Sequence, residues 1–370
     1  MILLSTIIRR FEAELLAQYR DALLPSHRRA LAAMANCRTS ASPSLLAQCS
    51  ACDHQILVPH SCGHRSCPHC QHHESQQWLE RQLQRLVPGT YFLVTFTLPP
   101  ALRALAFSEQ RTLYTLMIQC AWQTVHGFAH HDKQLQGTPG GIAVLHTHSR
   151  RLAYHPHVHL VIPAATIDAR NRLWRTKKSN GQRRYLFNHK ALAKVFRAKL
   201  LAAITGHGLP LPNGSAQKWV ADCKCVGSGE KALVYLGRYL YRGVIREKDI
   251  LACANGQVTF RYQDAKTKRA ETRTVAGAQF LWLIVQHVLP KGFRRARNFG
   301  FLHPNSKRLI ALLQVLFRLD PTRALARIKP RPPLACPGCG GDMKIVKTRI
   351  IPSLSGPPPV PIGDAAVAIM

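Results

Sequence analysis

The run Tyr154-His155-Pro156-His157-Val158-His159-Leu160-Val161-Ile162 carries an imidazole at every second position. Side chains alternate across a strand, so His155, His157 and His159 share one face while Val158, Leu160 and Ile162 share the other. Imidazoles side by side over an apolar underside suit a divalent metal, and His157 and His159 are its first candidate ligands. A third donor is not set by spacing; His155, His146 and Glu230 are all open. Two or three protein ligands leave positions for phosphate oxygens and water, the Lewis-acid arrangement of a phosphate-handling metal, for which Mg(II) or Mn(II) is the usual ion. Further on, Val234-Tyr235-Leu236-Gly237-Arg238-Tyr239-Leu240-Tyr241-Arg242 places Tyr235 and Tyr239 one helical turn apart on one face, with Tyr241 turned away. Lys231, Arg238 and Arg242 fall at helical neighbour positions of the two tyrosines. Cations there would hold a phosphate and ease the ionisation of a phenol whose ordinary pKa is about 10.

A second chemistry lies toward the amino end. Cys49-x2-Cys52 and Cys67-Pro68-His69-Cys70 are two knuckles that can complete a tetrahedral zinc site, with all four positions filled by protein and a structural role. Cys37, Cys62 and His64 lie in the same block, as does His60; they could ligate a second zinc or replace a member of the first set. Cys336-Pro337-Gly338-Cys339 is a single knuckle with no following pair, either half of a site completed from elsewhere or a relic. Cys120, Cys223, Cys225 and Cys253 read as ordinary core or surface residues.

The elements that must position these groups follow from periodicity. Residues 7–35 read as helix, with Phe11, Leu15, Leu16, Tyr19 and Leu23 at helical spacing. A helix at 74–86 ends at Pro88-Gly89. The β-branched and aromatic segment 91–98 reads as a strand. Helix is expected at 108–130, and strand 142–148 turns through Ser149-Arg150-Arg151 into the histidine strand as a hairpin. A basic loop at 170–184 contains Trp174, a residue suited either to stacking on unpaired bases or to packing. Helices at 189–205, 229–241 and 277–289 and strands at 257–263 and 270–275 complete the pattern. Strands and helices alternate around an antiparallel hairpin, so the expected class is α+β, one sheet with helices packed on it. The expected segments are a helical and zinc-binding domain at 1–86, a catalytic domain at 90–300, a basic segment with the lone knuckle at 301–351, and a disordered tail at 352–370.

Composition bounds the partners. The 370 residues include 51 Lys and Arg against 18 Asp and Glu, a formal net charge of +33. The excess runs through the whole chain, and such a field favours a polyanion, above all nucleic acid. No stretch reads as a membrane span or signal peptide. Twelve cysteines in a reducing cytoplasm point to metal ligation before disulfides.

Together the HPHVH strand, the YLGRY helix and the cysteine-rich front resemble the rolling-circle insertion-sequence transposases of the two-tyrosine HUH (His-hydrophobic-His) class. The resemblance covers about residues 27 to 345. It is carried further by Phe92-Leu93-Val94-Thr95-Phe96-Thr97-Leu98-Pro99, Ala143-Val144-Leu145-His146-Thr147, Val258-Thr259-Phe260-Arg261-Tyr262 and His287-Val288-Leu289-Pro290-Lys291-Gly292-Phe293. It implies a Rep-like antiparallel sheet flanked by helices behind a small zinc-binding domain, metal ligation by His157 and His159, and nucleophiles at Tyr235 and Tyr239. The implied reaction is nicking and rejoining of single-stranded DNA, at insertion-element ends and target, through a 5′-phosphotyrosine link that needs no ATP, in the bacterial cytoplasm at the nucleoid. Two positions depart from the family pattern: the zinc-block histidine stands at His64 instead of just before Cys67, and His148 replaces a tryptophan. A replication initiator or relaxase, and a catalytically silent zinc-bearing DNA-binding protein, are the competing readings.

Overall fold

The computed structural model describes residues 2–70, 72–171, 173–177, 186–215, 218–241, 243–264, 267–320 and 334–350; the side chains of His72, Arg238, Tyr239 and Tyr241 are also outside the described set. Several expectations therefore lie outside it: the orientation of Arg238, Tyr239 and Tyr241, the position of Arg242, residues 172 and 178–184 of the basic loop, and the tail from 352.

In chain order the elements are α1 (Leu4–Gln18), α2 (Pro25–Ala35), β1 (Ser44–Cys49), β2 (Gln55–Pro59), α3 (His72–Leu83), β3 (Tyr91–Thr97), α4 (Arg103–Ser108) and α5 (Gln110–His131). β4 (Thr138–His148), β5 (Tyr154–Pro163), β6 (Ala165–Asp168), β7 (Leu173–Thr176), α6 (His189–Gly206), β8 (Val220–Cys225) and α7 (Glu230–Tyr241) follow. The last are β9 (Ile250–Ala254), β10 (Gln257–Gln263), β11 (Ala270–Ala276), α8 (Gly277–Val285), β12 (Ala296–Gly300), α9 (Lys307–Leu316) and β13 (Met343–Ile350). Among the described residues no helix is long and apolar enough to cross a membrane.

The elements gather into two compact units. One is assembled from three separated stretches, 1–72, 241–288 and 328–370, whereas the expected segments were contiguous in sequence. In it the single helix expected over 7–35 is two, because Pro25 lacks the N–H and the freedom in φ needed to continue a helix and instead sits at the first turn of α2. Ile7, Ile8, Phe11 and Leu15 of α1 are buried, as are Phe280, Leu281 and Ile284 of α8, and these two helices pack together. β9, β10 and β11 form one antiparallel sheet, and β13, β1 and β2 form another. β1, β2 and β13 have no counterpart in the expected pattern. Their burial is too irregular to leave a clean period of two.

The other unit, 73–240 with 289–327, is built on a seven-stranded antiparallel sheet in the order β7-β6-β4-β5-β3-β8, with β12 paired to β4. The expected α+β architecture and the β4–β5 hairpin are both present. One face of the sheet presents Phe92, Val94 and Phe96 of β3, Val158, Leu160 and Ile162 of β5, and Ala221 and Cys223 of β8 to α5 and α6. Removing each of these larger side chains from water contributes roughly 1.5–3 kcal/mol. That buried layer makes the sheet a rigid platform for whatever stands on its other face. The segment around Trp174 is strand and not open loop. Trp174 packs edge-on to Phe301 at 5.3 Å, while Arg175 pairs with Asp168 at 3.0 Å and Lys177 pairs with Asp132. Trp174 thus has a packing role that the sequence left open.

Candidate active site

Register brings the imidazoles together. On β5, His159 stands opposite Thr95 of β3, and His157 stands opposite Thr97 of β3 and His146 of β4. Residues paired across strands share a face. His146, His157 and His159 therefore rise from the face opposite the apolar layer, and one ring nitrogen of each lies within 4.8 Å of the others. Ring centroids are 4.5 Å apart for His146 and His159, 4.8 Å for His157 and His159, and 5.3 Å for His146 and His157. Of the three candidates for a third ligand, His146 is the one in this group. His155 is turned to Arg103, whose guanidinium donates to His155 Nδ1 at 2.8 Å. Glu230 opens α7 and is not in the group, and neither is His148, which follows a register shift in β4.

The hydrogen bonds orient the rings. His157 Nδ1 lies 2.7 Å from the His155 carbonyl oxygen, which can only accept, so the proton sits on Nδ1 and the lone pair on Nε2. His159 Nδ1 shares a 2.8 Å hydrogen bond with Thr95 Oγ1, while its buried Nε2 meets no hydrogen-bond partner. An orphaned imidazole nitrogen in a cluster of imidazoles is what a metal site leaves when its other nitrogen is anchored. Burial, reinforced by the neighbouring rings, holds His146 and His159 well below the usual imidazole range, and burial draws His157 down to about 4. All three are neutral at physiological pH, the form that ligates.

A phenol stands beside this cluster. In α7, Leu233, Leu236 and Leu240 are buried and seat the helix, whereas Tyr235 is 38% exposed. The Tyr235 ring centroid is 6.3 Å from those of both His146 and His159. Gly237 lets α3 approach α7 closely. A Cβ there would meet the Trp78 ring at 3.3 Å, and Ser75 Oγ of α3 donates to the Gly237 carbonyl at 3.1 Å. α3 thus clamps α7. Lys231 is exposed on the first turn of α7. In the same unit a cleft of about 710 Å³ is lined by Arg111, Arg294, Arg297 and Phe299, among others. Phe299 is stacked on Trp122 at 4.9 Å.

The cysteines pair differently from expectation. The expected set of Cys49, Cys52, Cys67 and Cys70 is divided: Cys67 and Cys70 stand with Cys37 and Cys62, and Cys49 and Cys52 with Cys336 and Cys339. The reason is the β1–β2 hairpin, which carries Cys49 and Cys52 at its turn, apart from the loop bearing Cys62, Cys67 and Cys70. In the first group the sulfurs of Cys37 and Cys70, Cys62 and Cys70, and Cys37 and Cys67 are 3.5, 3.6 and 3.6 Å apart. A zinc tetrahedron with 2.3 Å arms has edges of about 3.8 Å, while a disulfide needs about 2.05 Å. The four thiols therefore fit one zinc ion. His64 is in neither group; its Nδ1 accepts the Ser66 backbone N–H at 3.2 Å. His69, between the paired cysteines of its knuckle, places Nε2 2.7 Å from a carboxylate oxygen of the buried Glu247. Cys120, Cys223, Cys225 and Cys253 stand outside both groups.

Comparison with known proteins follows the same lines. A family model described as "Putative transposase" matches residues 140–309, and one described as "Transposase zinc-binding domain" matches residues 7–98. The protein "Putative transposase y4qJ" of Sinorhizobium fredii is 31% identical over 322 residues, covering 80% of this chain and 79% of that protein. The "Transposase for insertion sequence element IS801" of Pseudomonas savastanoi pv. phaseolicola is 29% identical over 266 residues, 68% of this chain and 63% of that protein. Among solved structures, the conjugative relaxase TrwC in complex with oriT DNA, in its metal-bound form, is similar with a TM-score of 0.29 and 17% identity over 36% of this chain and 49% of that one.

Proposed function

The chain belongs to the IS91 family of two-tyrosine rolling-circle transposases with an N-terminal zinc-binding domain, and from that premise we propose that it nicks and rejoins single-stranded DNA through a 5′-phosphotyrosine intermediate. The observation that carries this reading is the phenol of Tyr235 beside three convergent neutral imidazoles.

His146, His157 and His159 would hold a divalent cation, Mg(II) or Mn(II), which when bound supplies Lewis-acid polarisation of the scissile phosphate. Tyr235 is the first nucleophile. Its oxygen attacks phosphorus, the Tyr235 O–P bond forms as the P–O3′ bond breaks, and the leaving oxygen takes a proton to become a free 3′-OH. The phenol proton passes to water. One phosphodiester replaces another, so the link retains the energy needed for rejoining. Tyr239, one turn on, is the second nucleophile and permits a second cleavage while the first end is still held. Lys231, Arg238 and Arg242 bind the phosphates flanking the cut. The Arg111–Arg294–Arg297 cleft, with Phe299 as a base platform, suits the backbone and an unpaired base of a single strand. Cys37, Cys62, Cys67 and Cys70 hold a structural zinc(II). The DNA partners are the ends of an insertion element and its target.

The test uses a labelled single-stranded oligonucleotide carrying an element end, with Mn(II). The expected result is a covalent protein–DNA adduct that mass spectrometry maps to Tyr235 and that chelation prevents. Retention of the adduct in the Tyr235→Phe, Tyr239→Phe double variant would refute the assignment, and absence of any adduct with the wild-type chain would favour the silent DNA-binding reading.

A further inference from the structure

A second group of four thiols lies only half within the zinc-binding match, because its other half comes from residues beyond 309. Cys49 and Cys52 sit at the β1–β2 turn, and Cys336 and Cys339 precede β13. The sulfurs of Cys49 and Cys339 are 3.5 Å apart and those of Cys52 and Cys336 are 3.7 Å apart, with all four within 4.8 Å. These separations are too long for disulfides, about 2.05 Å, and close to the roughly 3.8 Å edge of a tetrahedral zinc–thiolate site with 2.3 Å arms. The transposase match ends at 309 and the zinc-binding match at 98, so neither includes Cys336 or Cys339.

We infer that Cys49, Cys52, Cys336 and Cys339 bind a second structural zinc(II), which fastens the strand β13 to the N-terminal zinc-binding domain. The backbone is shaped for it. The Ala51 N–H donates to Cys49 Sγ at 3.3 Å, stabilising thiolate charge. The Cys336 N–H donates to the Gly341 carbonyl at 2.7 Å and the Ser50 N–H to the Asp342 carbonyl at 3.0 Å, which aligns the two turns. Gly341 faces the sulfurs directly: a Cβ there would lie 3.3 Å from Cys339 Sγ and 3.5 Å from Cys49 Sγ. β13 pairs antiparallel with β1, with Met343 opposite Cys49.

The same unit shows why a metal is needed there. Among the described residues the buried cluster is Ala47, Cys49, Cys336 and Met343, with Ile56 and Leu334 partly buried against it, while Ile345 and Val346 of β13 are 57% and 53% exposed. So small a core does not hold a separate strand by burial alone. A four-thiolate site completes what the apolar contacts leave short, as in small zinc domains whose binding energy is folding energy. The inference shares the zinc reading of the N-terminal domain but not the nicking chemistry, because the ion can be counted without DNA.

The experiment counts zinc in the purified full-length chain and maps cysteine alkylation. Wild type is expected to hold two zinc ions, Cys336→Ser/Cys339→Ser one, and Cys62→Ser/Cys67→Ser one. Cys52 and Cys339 are exposed, so burial cannot shield them from iodoacetamide. They are expected to resist it in the zinc-loaded chain and to react, with Cys49 and Cys336, once a chelator is added. A Cys52→His chain is expected to keep two metals and, reconstituted with Co(II), to show a weakened thiolate charge-transfer band. Two zinc ions in the Cys336→Ser/Cys339→Ser chain, or prompt alkylation of Cys52 and Cys339 in the loaded wild type, would overturn the second site. A wild type with one zinc that is lost on Cys62→Ser/Cys67→Ser would overturn it while leaving the first zinc intact. A wild type with none would end both.

Discussion

The thiol groups and the imidazole group are built on opposite plans. The thiols come in fours, from turns and loops, and fill every position of a tetrahedron. The imidazoles come in threes, from two adjacent strands, and leave positions beside the exposed Tyr235. The backbone around the thiols has little core of its own, whereas the backbone beneath the imidazoles is a sheet with a continuous apolar layer on its far face. A closed site set in weakly packed turns is a fastener. An open site on a self-sufficient sheet is a workplace. On the proposed reading a metal would hold the protein together in the first case, and the protein would hold the metal in the second.

Stripping all metal gives the sharpest contrast. Structural zinc supplies on the order of 10 kcal/mol of folding free energy in small domains. Chelation should therefore release protection from hydrogen exchange in β1, β2 and β13, while the amides of β3, β4 and β5 stay protected. Equal loss in both regions would break the comparison. Next in size, Tyr235→Phe should reduce adduct formation to background. The substitution keeps the aromatic ring of a side chain that is 38% exposed, so the melting temperature should change by no more than a surface substitution of roughly 0.5 kcal/mol would produce. His159→Ala should weaken Mn(II) binding beyond the roughly 100-fold that loss of a supporting hydrogen bond can cost, and Thr95→Val, which removes only such a bond to His159 Nδ1, should cost about 10–100-fold. Both are read by metal titration, and zinc content should not change in either.

The smallest effect concerns pH. His157 is drawn down to about 4 by burial, and His146 and His159 lie below the ordinary range for the same reason. An unburied imidazole trio would begin to lose metal near its ordinary pKa of about 6.5. Here Mn(II) affinity should stay nearly flat from pH 7.5 to about 5.5 and fall only nearer 4. The stability sign runs with it. The folded pKa lies below the unfolded one, so the unfolded chain takes up protons first, and the metal-free unit loses stability as pH drops from about 6.5 toward 4. Mn(II) titration and thermal melts across that window check both trends.

The alternation of His155, His157 and His159 over Val158, Leu160 and Ile162 was legible as a strand with two faces, because that period is local. So were the hairpin partner carrying His146 and the helix span of α7. β8 was missed although Val220-Ala221-Asp222-Cys223-Lys224-Cys225 alternates buried and open positions, a period-two signal that could have found it. The break at Pro25 was readable too, from proline alone. The grouping of Cys67 and Cys70 with Cys37 and Cys62 was not readable, since knuckle spacing says which thiols are adjacent in sequence and nothing of which pairs meet.

Residue order alone settled the chemistry on offer: imidazoles on one side of a strand, phenols one helical turn apart, thiols in pairs, and a large positive charge. Those are properties of neighbours, and neighbours are set by the periods of strand and helix. Tertiary structure chose the partners. It selected His146 over His155 and Glu230 through the β4–β5 register, and brought Cys336 and Cys339 to Cys49 and Cys52 by pairing β13 with β1. Ligands from distant parts of a chain converge only when the backbone between them has folded, and no local spacing encodes that closure.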